Sequence, residues 1–177
     1  MDEFLFPSRY YPEMMQRSGV LSVQLLVFSL SITPITLLLK PYDGGKSVSR
    51  WLLAKRKYFG LAAAAYATIH TLFYLRFISW DLELAWLEAL DWPFGTGWIA
   101  MVAFLILAVF SNGWGVRLLG KAWKPVQRGS YIIAVASLAH WFLLDFFIDD
   151  VLVWIAVLGI AKTLHVAFRI YPLFSKR

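Results

Sequence analysis

The stretch KRKYFGLAAAAYATIHTLFYL, residues 55–75, indicates the class of this protein. Three basic residues precede an uncharged, mostly apolar run that is long enough to cross a hydrocarbon core of about 30 Å as a helix. His70 lies inside this run. An imidazole surrounded by lipid loses its water, so an intramembrane histidine normally binds another group. The stretch therefore predicts a membrane-spanning helix that carries a functional histidine.

Similar uncharged runs recur along the 177 residues, of which 60% are hydrophobic, far above the norm for soluble proteins. The runs are continuous rather than alternating, which favours helices over a β-barrel. We predict a single all-α membrane domain over residues 1–177, a bundle of five transmembrane helices. The predicted spans are 18–39, 58–75, 94–116, 129–144 and 151–168, and a short amphipathic outer helix is predicted over 80–92. We expect this helix to lie in the membrane surface, with docking of a soluble partner as the alternative.

The basic residues predict the orientation, because Lys and Arg concentrate on the cytoplasmic side of short loops. They cluster in segments 40–57 and 117–128 and in the C-terminal tail, whereas most acids lie on the other side. The N-terminus is therefore predicted outside and the C-terminus in the cytoplasm. The net charge of +6 follows from this topology and needs no nucleic-acid partner. The basic loops are instead expected to meet membrane lipid.

The chain contains no cysteine, which excludes disulfides, thiolate metal sites, iron–sulfur clusters and covalently attached haem. It also lacks glycine-rich phosphate loops and metalloprotease or hydrolase motifs. Without a nucleotide-binding domain, the chain is not expected to oxidise a nicotinamide cofactor by itself.

Two histidines on different spans are predicted to lie at one level of the membrane. At about 1.5 Å of rise per residue, His70 lies roughly 20 Å from Lys57, and His140 lies roughly 18 Å from Arg128. Two imidazoles from separate helices are what a six-coordinate haem iron requires. We therefore predict that His70 and His140 ligate a haem iron in the outer half of the bundle, and that Arg76 neutralises a propionate. The alternative for each histidine alone is a hydrogen bond to another helix.

Other polar residues are expected to lie at the membrane surface or in water rather than to bind a cofactor. His165 shares a basic face with Lys162 and Arg169, and we expect an interfacial role there. A second haem, a quinone head group or a propionate are the alternative ligands of His165. Three acids at the outer side are expected to be solvated, with a cation site as the alternative: Asp145, Asp149 and Asp150.

Three stretches carry a family resemblance: SITPITLLLK (31–40), KRKYFGLAAAAYATIHTLFYL (55–75) and SNGWGVRLLGKAWKPVQRGSYIIAVASLAHWFL (111–143). Over about residues 17–144 the chain resembles the ferric-reductase-like transmembrane family, and within it the haem-binding membrane subunits of bacterial periplasmic methionine sulfoxide reductase systems. One marker is Gly60 with His70 ten residues later. The other is the series Trp123, Arg128 and Tyr131 that precedes His140.

The resemblance implies one haem b between the helices, with His70 and His140 as its axial ligands. Electrons would pass from quinol or a cytoplasmic donor to an acceptor at the outer face, in a multi-pass protein of the bacterial inner membrane. The implied partner is another membrane or periplasmic redox subunit, with quinone as a further ligand. The chain would then be an electron-transfer subunit of an oxidoreductase system rather than a complete enzyme.

Two departures from the family pattern favour a second function. The family usually has a histidine where this chain has Gln127, which puts a second cofactor site in question. Related proteins also usually begin with one more span, so we expect another subunit to cover one flank of the bundle. The second hypothesis is therefore an accessory or structural subunit of a larger membrane complex, derived from a haem protein. A transporter is disfavoured because inverted repeats are not visible.

Overall fold

A computed structural model describes residues 10–42, 44–144 and 148–174, with side chains described for all of these except residues 148 and 169–174. Within these residues the chain folds into α-helices joined by short turns. In chain order they are α1 (Tyr11–Leu39), α2 (Gly45–Phe77), α3 (Leu82–Leu90), α4 (Trp92–Val109), α5 (Gly113–Leu119), α6 (Trp123–Gln127), α7 (Ser130–Leu144) and α8 (Ile148–Phe174), with one 3₁₀ turn at Gly120–Ala122. The all-helical class is confirmed.

Four stretches of helix in the described part of the chain are long and apolar enough to cross a membrane: α1, α2, α4 and residues 149–168 of α8. Helix α7 is apolar but has only 15 residues. At about 1.5 Å per residue it spans roughly 22 Å, less than the hydrocarbon core of about 30 Å. It can therefore cross the membrane only if residues beyond its two ends contribute to the span.

Several helices extend beyond or end before the predicted spans: α1 begins at Tyr11 rather than at residue 18, and α8 ends at Phe174 rather than at residue 168. Two further differences have identifiable causes. Helix α2 begins at Gly45 rather than at residue 58, because Lys and Arg are good helix formers and the basic segment continues the helix into water. Helix α4 ends at Val109 rather than at residue 116. The reason is Asn112, whose Oδ1 accepts a hydrogen bond from the Gly115 amide at 2.8 Å and so begins α5.

Hydroxyl groups hold α1 against α2. Ser22 Oγ donates to the Ala63 carbonyl at 2.9 Å, and both residues are buried. Further along the same interface, Ser29 Oγ donates to the Arg56 carbonyl at 3.2 Å. Arg56 in turn donates from Nη1 to Thr33 Oγ1 at 3.2 Å. Small side chains with interhelical hydrogen bonds let two backbones approach closely without a large apolar contact.

The centre of the bundle joins four helices. Its buried core includes Leu26 and Leu30 of α1, Ala63 and Ala64 of α2, Phe104 of α4 and Ile133 of α7. Helix α7 packs mainly on α4, α8 packs on α1, and α2 lies between α1 and α4. This arrangement brings one end of α2 and one end of α7 into the same region.

Candidate functional site

The structure brings His70 of α2 and His140 of α7 together. Their ring centroids are 6.2 Å apart, and the ring planes are almost perpendicular, at 86°. The two residues are 70 positions apart in the chain, so only the packing of α2 and α7 through α1 and α4 places them side by side. Their use as metal ligands was a sequence prediction and remains one.

Each imidazole is fixed by a hydrogen bond from the same ring nitrogen to a backbone carbonyl. His70 Nδ1 lies 2.7 Å from the carbonyl oxygen of Met15 on α1. His140 Nδ1 lies 2.8 Å from the carbonyl oxygen of Pro93 on α4. The Pro93 carbonyl also accepts from Thr96 Oγ1 at 2.8 Å, which keeps it in place.

These contacts determine where the proton of each neutral imidazole resides. A carbonyl oxygen can only accept, so Nδ1 of each ring must carry the hydrogen. Nε2 of both His70 and His140 is then the unprotonated nitrogen with a free lone pair. An outer hydrogen bond from Nδ1–H to a carbonyl is the usual support of a metal-ligating histidine, because it orients the ring and raises its basicity.

Glycines make room for both rings. A Cβ atom on Gly19 of α1 would stand 2.9 Å from His70 Nδ1, and a Cβ on Gly97 of α4 would stand 2.6 Å from His140 Cε1. Any larger side chain at either glycine would push the imidazole away. Neither glycine was predicted from the sequence as part of the site. The available signal was a glycine inside an apolar helix, where it weakens the helix and so indicates a close approach.

The spacing of the rings suits a shared metal ion. Two metal–imidazole bonds of about 2 Å, plus about 1 Å from each nitrogen to its ring centre, place two centroids about 6 Å apart. The distance between His70 and His140 is 6.2 Å. Two neutral imidazoles with free Nε2 atoms are also a donor set suited to a six-coordinate haem iron. The ring spacing and the donor atoms therefore fit a haem iron.

Two small cavities flank the histidines, with volumes of about 110 Å³ and 60 Å³. Both are lined by His70, Thr71, Gly97 and Met101. The larger also has an aromatic wall of Tyr74, Phe94 and Trp98. Pockets for organic ligands usually measure about 300–1,000 Å³, so a macrocycle needs the space between the two cavities as well. Met101 lines both, and its unbranched side chain has the rotamer freedom to turn aside.

Arg76 lies six residues after His70 on α2, and its side chain contacts the Tyr11 ring. Its guanidinium carbon lies 5.3 Å from the centre of the Tyr11 ring, a cation–π contact. Arg76 does not line either cavity beside the histidines. The structure thus brings His70 and His140 together and leaves Arg76 at the edge of the region.

A larger cavity, of about 840 Å³, lies toward the basic end of the bundle. Gln127 and His165 both line it. Gln127 donates from Nε2 to Ser111 Oγ at 3.5 Å. His165 Nδ1 is buried and has no hydrogen-bond partner among the described residues. His165 therefore faces a cavity as well as sharing the basic face predicted for it.

The acids predicted to lie at the outer side form no metal site within the described residues. No group of three or more His, Asp or Glu side chains converges within 10–42, 44–144 and 148–174. Asp149 and Asp150 are exposed in the first turn of α8. The third predicted member, Asp145, lies outside the described residues.

A family model described as ferric reductase like transmembrane component matches residues 18–138. The chain belongs to this family. The matched region contains α2 with His70, and it ends two residues before His140 on α7. The family predicted from the sequence is therefore confirmed. No solved structure matches the chain.

Bacterial relatives within the ferric reductase-like family are named protein-methionine-sulfoxide reductase heme-binding subunit MsrQ. The chain is 33% identical over 135 residues to the one from Caulobacter vibrioides, covering 75% of this chain and 60% of that protein. It is 30% identical over 157 residues to the one from Azospira oryzae, covering 86% of this chain and 64% of that protein. The one from Rhizobium meliloti is 34% identical over 126 residues, which are 70% and 54% of the two chains. The chain thus spans roughly three fifths of the length of these relatives.

Proposed function

We propose that the chain is a b-type haem-binding membrane subunit that transfers electrons, with one haem iron ligated by Nε2 of His70 and Nε2 of His140. The observation that carries this proposal is the paired imidazoles, 6.2 Å apart, each with Nδ1 hydrogen-bonded to a carbonyl. The names of the MsrQ relatives, which state haem binding for those proteins, support it.

The protein side of the mechanism is orientation and exclusion of water. The Met15 and Pro93 carbonyls hold the rings so that both Nε2 atoms stay unprotonated and available. The aromatic wall beside the pair would limit the access of water to a bound group and so lower the local dielectric around its charge. A haem bound there supplies one-electron exchange between its ferrous and ferric states. Arg76 is the proposed counter-charge for a propionate, for which its guanidinium must leave the Tyr11 ring.

We propose five spans, with α7 as the short one, the N-terminus outside and the C-terminus in the cytoplasm of a bacterial inner membrane. The basic residues before α7, Lys124 and Arg128, extend its reach because their long side chains can snorkel to the surface. Electrons would enter from quinol or a cytoplasmic donor and leave at the outer face. The acceptor would be another membrane or periplasmic redox subunit; the relatives are named as subunits of a methionine sulfoxide reductase, which supports a redox partner.

The orientation is testable because the chain has no native cysteine. Ser47→Cys places one thiol in the basic segment before the second span, and Glu83→Cys places one in α3; both positions are exposed. A membrane-impermeant maleimide should label Glu83→Cys in cells with a permeable outer membrane and an intact inner membrane, and should label Ser47→Cys only after that membrane is opened. The reverse pattern would contradict the orientation.

The haem ligands are tested by three matched alanine variants. His70→Ala and His140→Ala should each abolish the low-spin haem spectrum of the purified protein, because either change removes one of the two proposed haem ligands. His165→Ala is the control, since His165 lines the other cavity, and it should keep the native Soret band. Native Soret bands in both His70→Ala and His140→Ala would refute the assignment.

A specific observation favours the accessory-subunit function as the second candidate. The amide of Gln127, at the position where the family resemblance implies a histidine, contacts Ser111. The cavities at the His70 and His140 pair are also small. An accessory or structural subunit derived from a haem protein would purify within a stable membrane complex and show a haem-free spectrum. An isolated chain with stoichiometric haem would exclude it.

A further inference from the structure

The 840 Å³ cavity has a cationic part built from three different elements. Arg56 and Lys57 come from α2, Lys124 and Arg128 from the α6 region, and Lys162 from α8. Among the described residues that line it there is no acidic side chain. The only side-chain ion pair in the described part of the chain joins Arg17 to Glu13, far along the sequence from all five cations. The cavity therefore concentrates uncompensated positive charge.

Two of these cations are held in place by neighbours that do not neutralise them. Arg56 donates from Nη1 to Thr33 Oγ1 at 3.2 Å. Lys162 Nζ lies 4.1 Å from the centre of the Tyr131 ring. Both contacts order the side chain before a ligand binds, so that less conformational entropy is lost on binding. Both also leave the positive charge available to the ligand.

The deeper part of the same cavity is apolar. Its wall includes Leu26, Leu30, Leu61, Ala64, Phe104 and Ile133. His165, three residues after Lys162 on α8, also lines the cavity, and its buried Nδ1 has no partner in the described residues. A buried ring nitrogen without a partner is costly, which indicates that a polar group of a ligand meets it.

We propose that this cavity binds an anionic phospholipid, with the phosphate at the cations and His165 and the acyl chains along the apolar wall. The ligand must be an amphiphile because the cavity is charged at one end and apolar at the other. It must be anionic because every charged side chain in the lining is basic. Phosphate groups bind well to guanidinium and ammonium groups. Within the membrane, the molecule that carries a phosphate group is phospholipid. The inference does not depend on haem binding at His70 and His140.

The experiment compares two double variants of the full-length protein with the same loss of charge. Lys124→Gln with Arg128→Gln removes two cations that line the cavity. Arg117→Gln with Lys121→Gln removes two from the same connecting segment, and these are exposed and outside the cavity. Phosphatidylglycerol and phosphatidylcholine are titrated into detergent-purified protein, and bound lipid is counted by native mass spectrometry. Monodisperse elution and unchanged helicity confirm folding.

The cavity variant should bind phosphatidylglycerol about thirty-fold more weakly than the unmodified protein, whereas the control variant should change little. Phosphatidylcholine should bind weakly to all three. His165→Phe keeps a ring and removes Nδ1, and should weaken phosphatidylglycerol binding about ten-fold. Equal losses in both double variants would overturn the proposal, because they would mean diffuse attraction to the basic surface. Absence of saturable phosphatidylglycerol binding would overturn it as well.

A second titration distinguishes lipid from free phosphate. Inorganic phosphate, which lacks acyl chains, should not displace phosphatidylglycerol at millimolar concentration. If phosphate alone displaces the lipid and its binding is lost in the cavity variant, the ligand is a soluble anion and the lipid assignment is wrong. The haem spectrum of the same samples reports the His70 and His140 site separately, so failure of one proposal is visible without failure of the other.

Discussion

Replacing Gly97 with alanine should weaken haem binding although residue 97 offers no ligand. The added Cβ would stand 2.6 Å from Cε1 and 2.7 Å from Nδ1 of His140. Non-bonded carbon atoms prefer about 3.5–4.0 Å, so the imidazole has to move by about 1 Å. Its 2.8 Å hydrogen bond to the Pro93 carbonyl would then pass the distance of about 3.2 Å at which such bonds normally end.

Loss of an outer partner of a metal-ligating histidine typically costs about 10–100-fold in affinity, and we expect that range for Gly97→Ala. The assay is titration of haem into haem-free protein, followed by the Soret band. Gly159→Ala is the matched control, because Gly159 also lies within a helix and its added Cβ meets nothing within 4 Å. Equal haem affinity of Gly97→Ala and the unmodified protein would refute the reasoning about the His140 ring.

Two further predictions concern the support around the site. Tyr74→Phe removes the 2.6 Å hydrogen bond that Tyr74 donates to the Glu88 carboxylate, and should speed amide exchange in α3 about ten-fold, measured by hydrogen–deuterium exchange; unchanged exchange would show that α3 is held otherwise. Ser22→Ala removes the bond to the Ala63 carbonyl and should destabilise the protein by about 1 kcal/mol in reversible unfolding by detergent. Thr163→Val is its control, because that hydroxyl bonds only within its own helix, and a cost for Ser22→Ala no greater than for the control would contradict the interhelical role.

The sequence predicted that the two histidines lie at one level, but it did not predict what surrounds them. Counting residues from Lys57 and Arg128 works because a helix has a constant rise. Counting does not give the direction in which a side chain faces, which depends on how α2 and α7 pack. The structure adds that direction by bringing the rings of His70 and His140 to 6.2 Å.

The glycines at the site were missed for a related physical reason. A glycine in an apolar helix predicts close approach of some group, but only the tertiary structure shows that Gly19 meets His70 and Gly97 meets His140. The carbonyl partners, Met15 and Pro93, give no sequence signal, because every residue has a backbone carbonyl.

Hydropathy predicts a helix boundary only where the apolar segment and the helix end at the same residue. Where the helix continues into water, or a cap interrupts an apolar segment, the two boundaries differ. Hydropathy marks the part of a helix that suits lipid, so the predicted span begins at residue 58 although α2, the helix that contains it, begins at Gly45. At the end of α4 the predicted span continued past Phe110, whereas the Asn112 side chain caps and begins the next helix, α5. Likewise, the position of His165 on a basic face was visible in the sequence, but the cavity it lines depends on packing between helices distant in the chain.

The most direct measurement is a reduced-minus-oxidised absorption spectrum of the purified chain, with haem quantified per protein. Ligation by His70 and His140 predicts a low-spin b-type spectrum with one haem per chain. A purified, folded chain that carries no haem, and takes up none when haem is added, would contradict it.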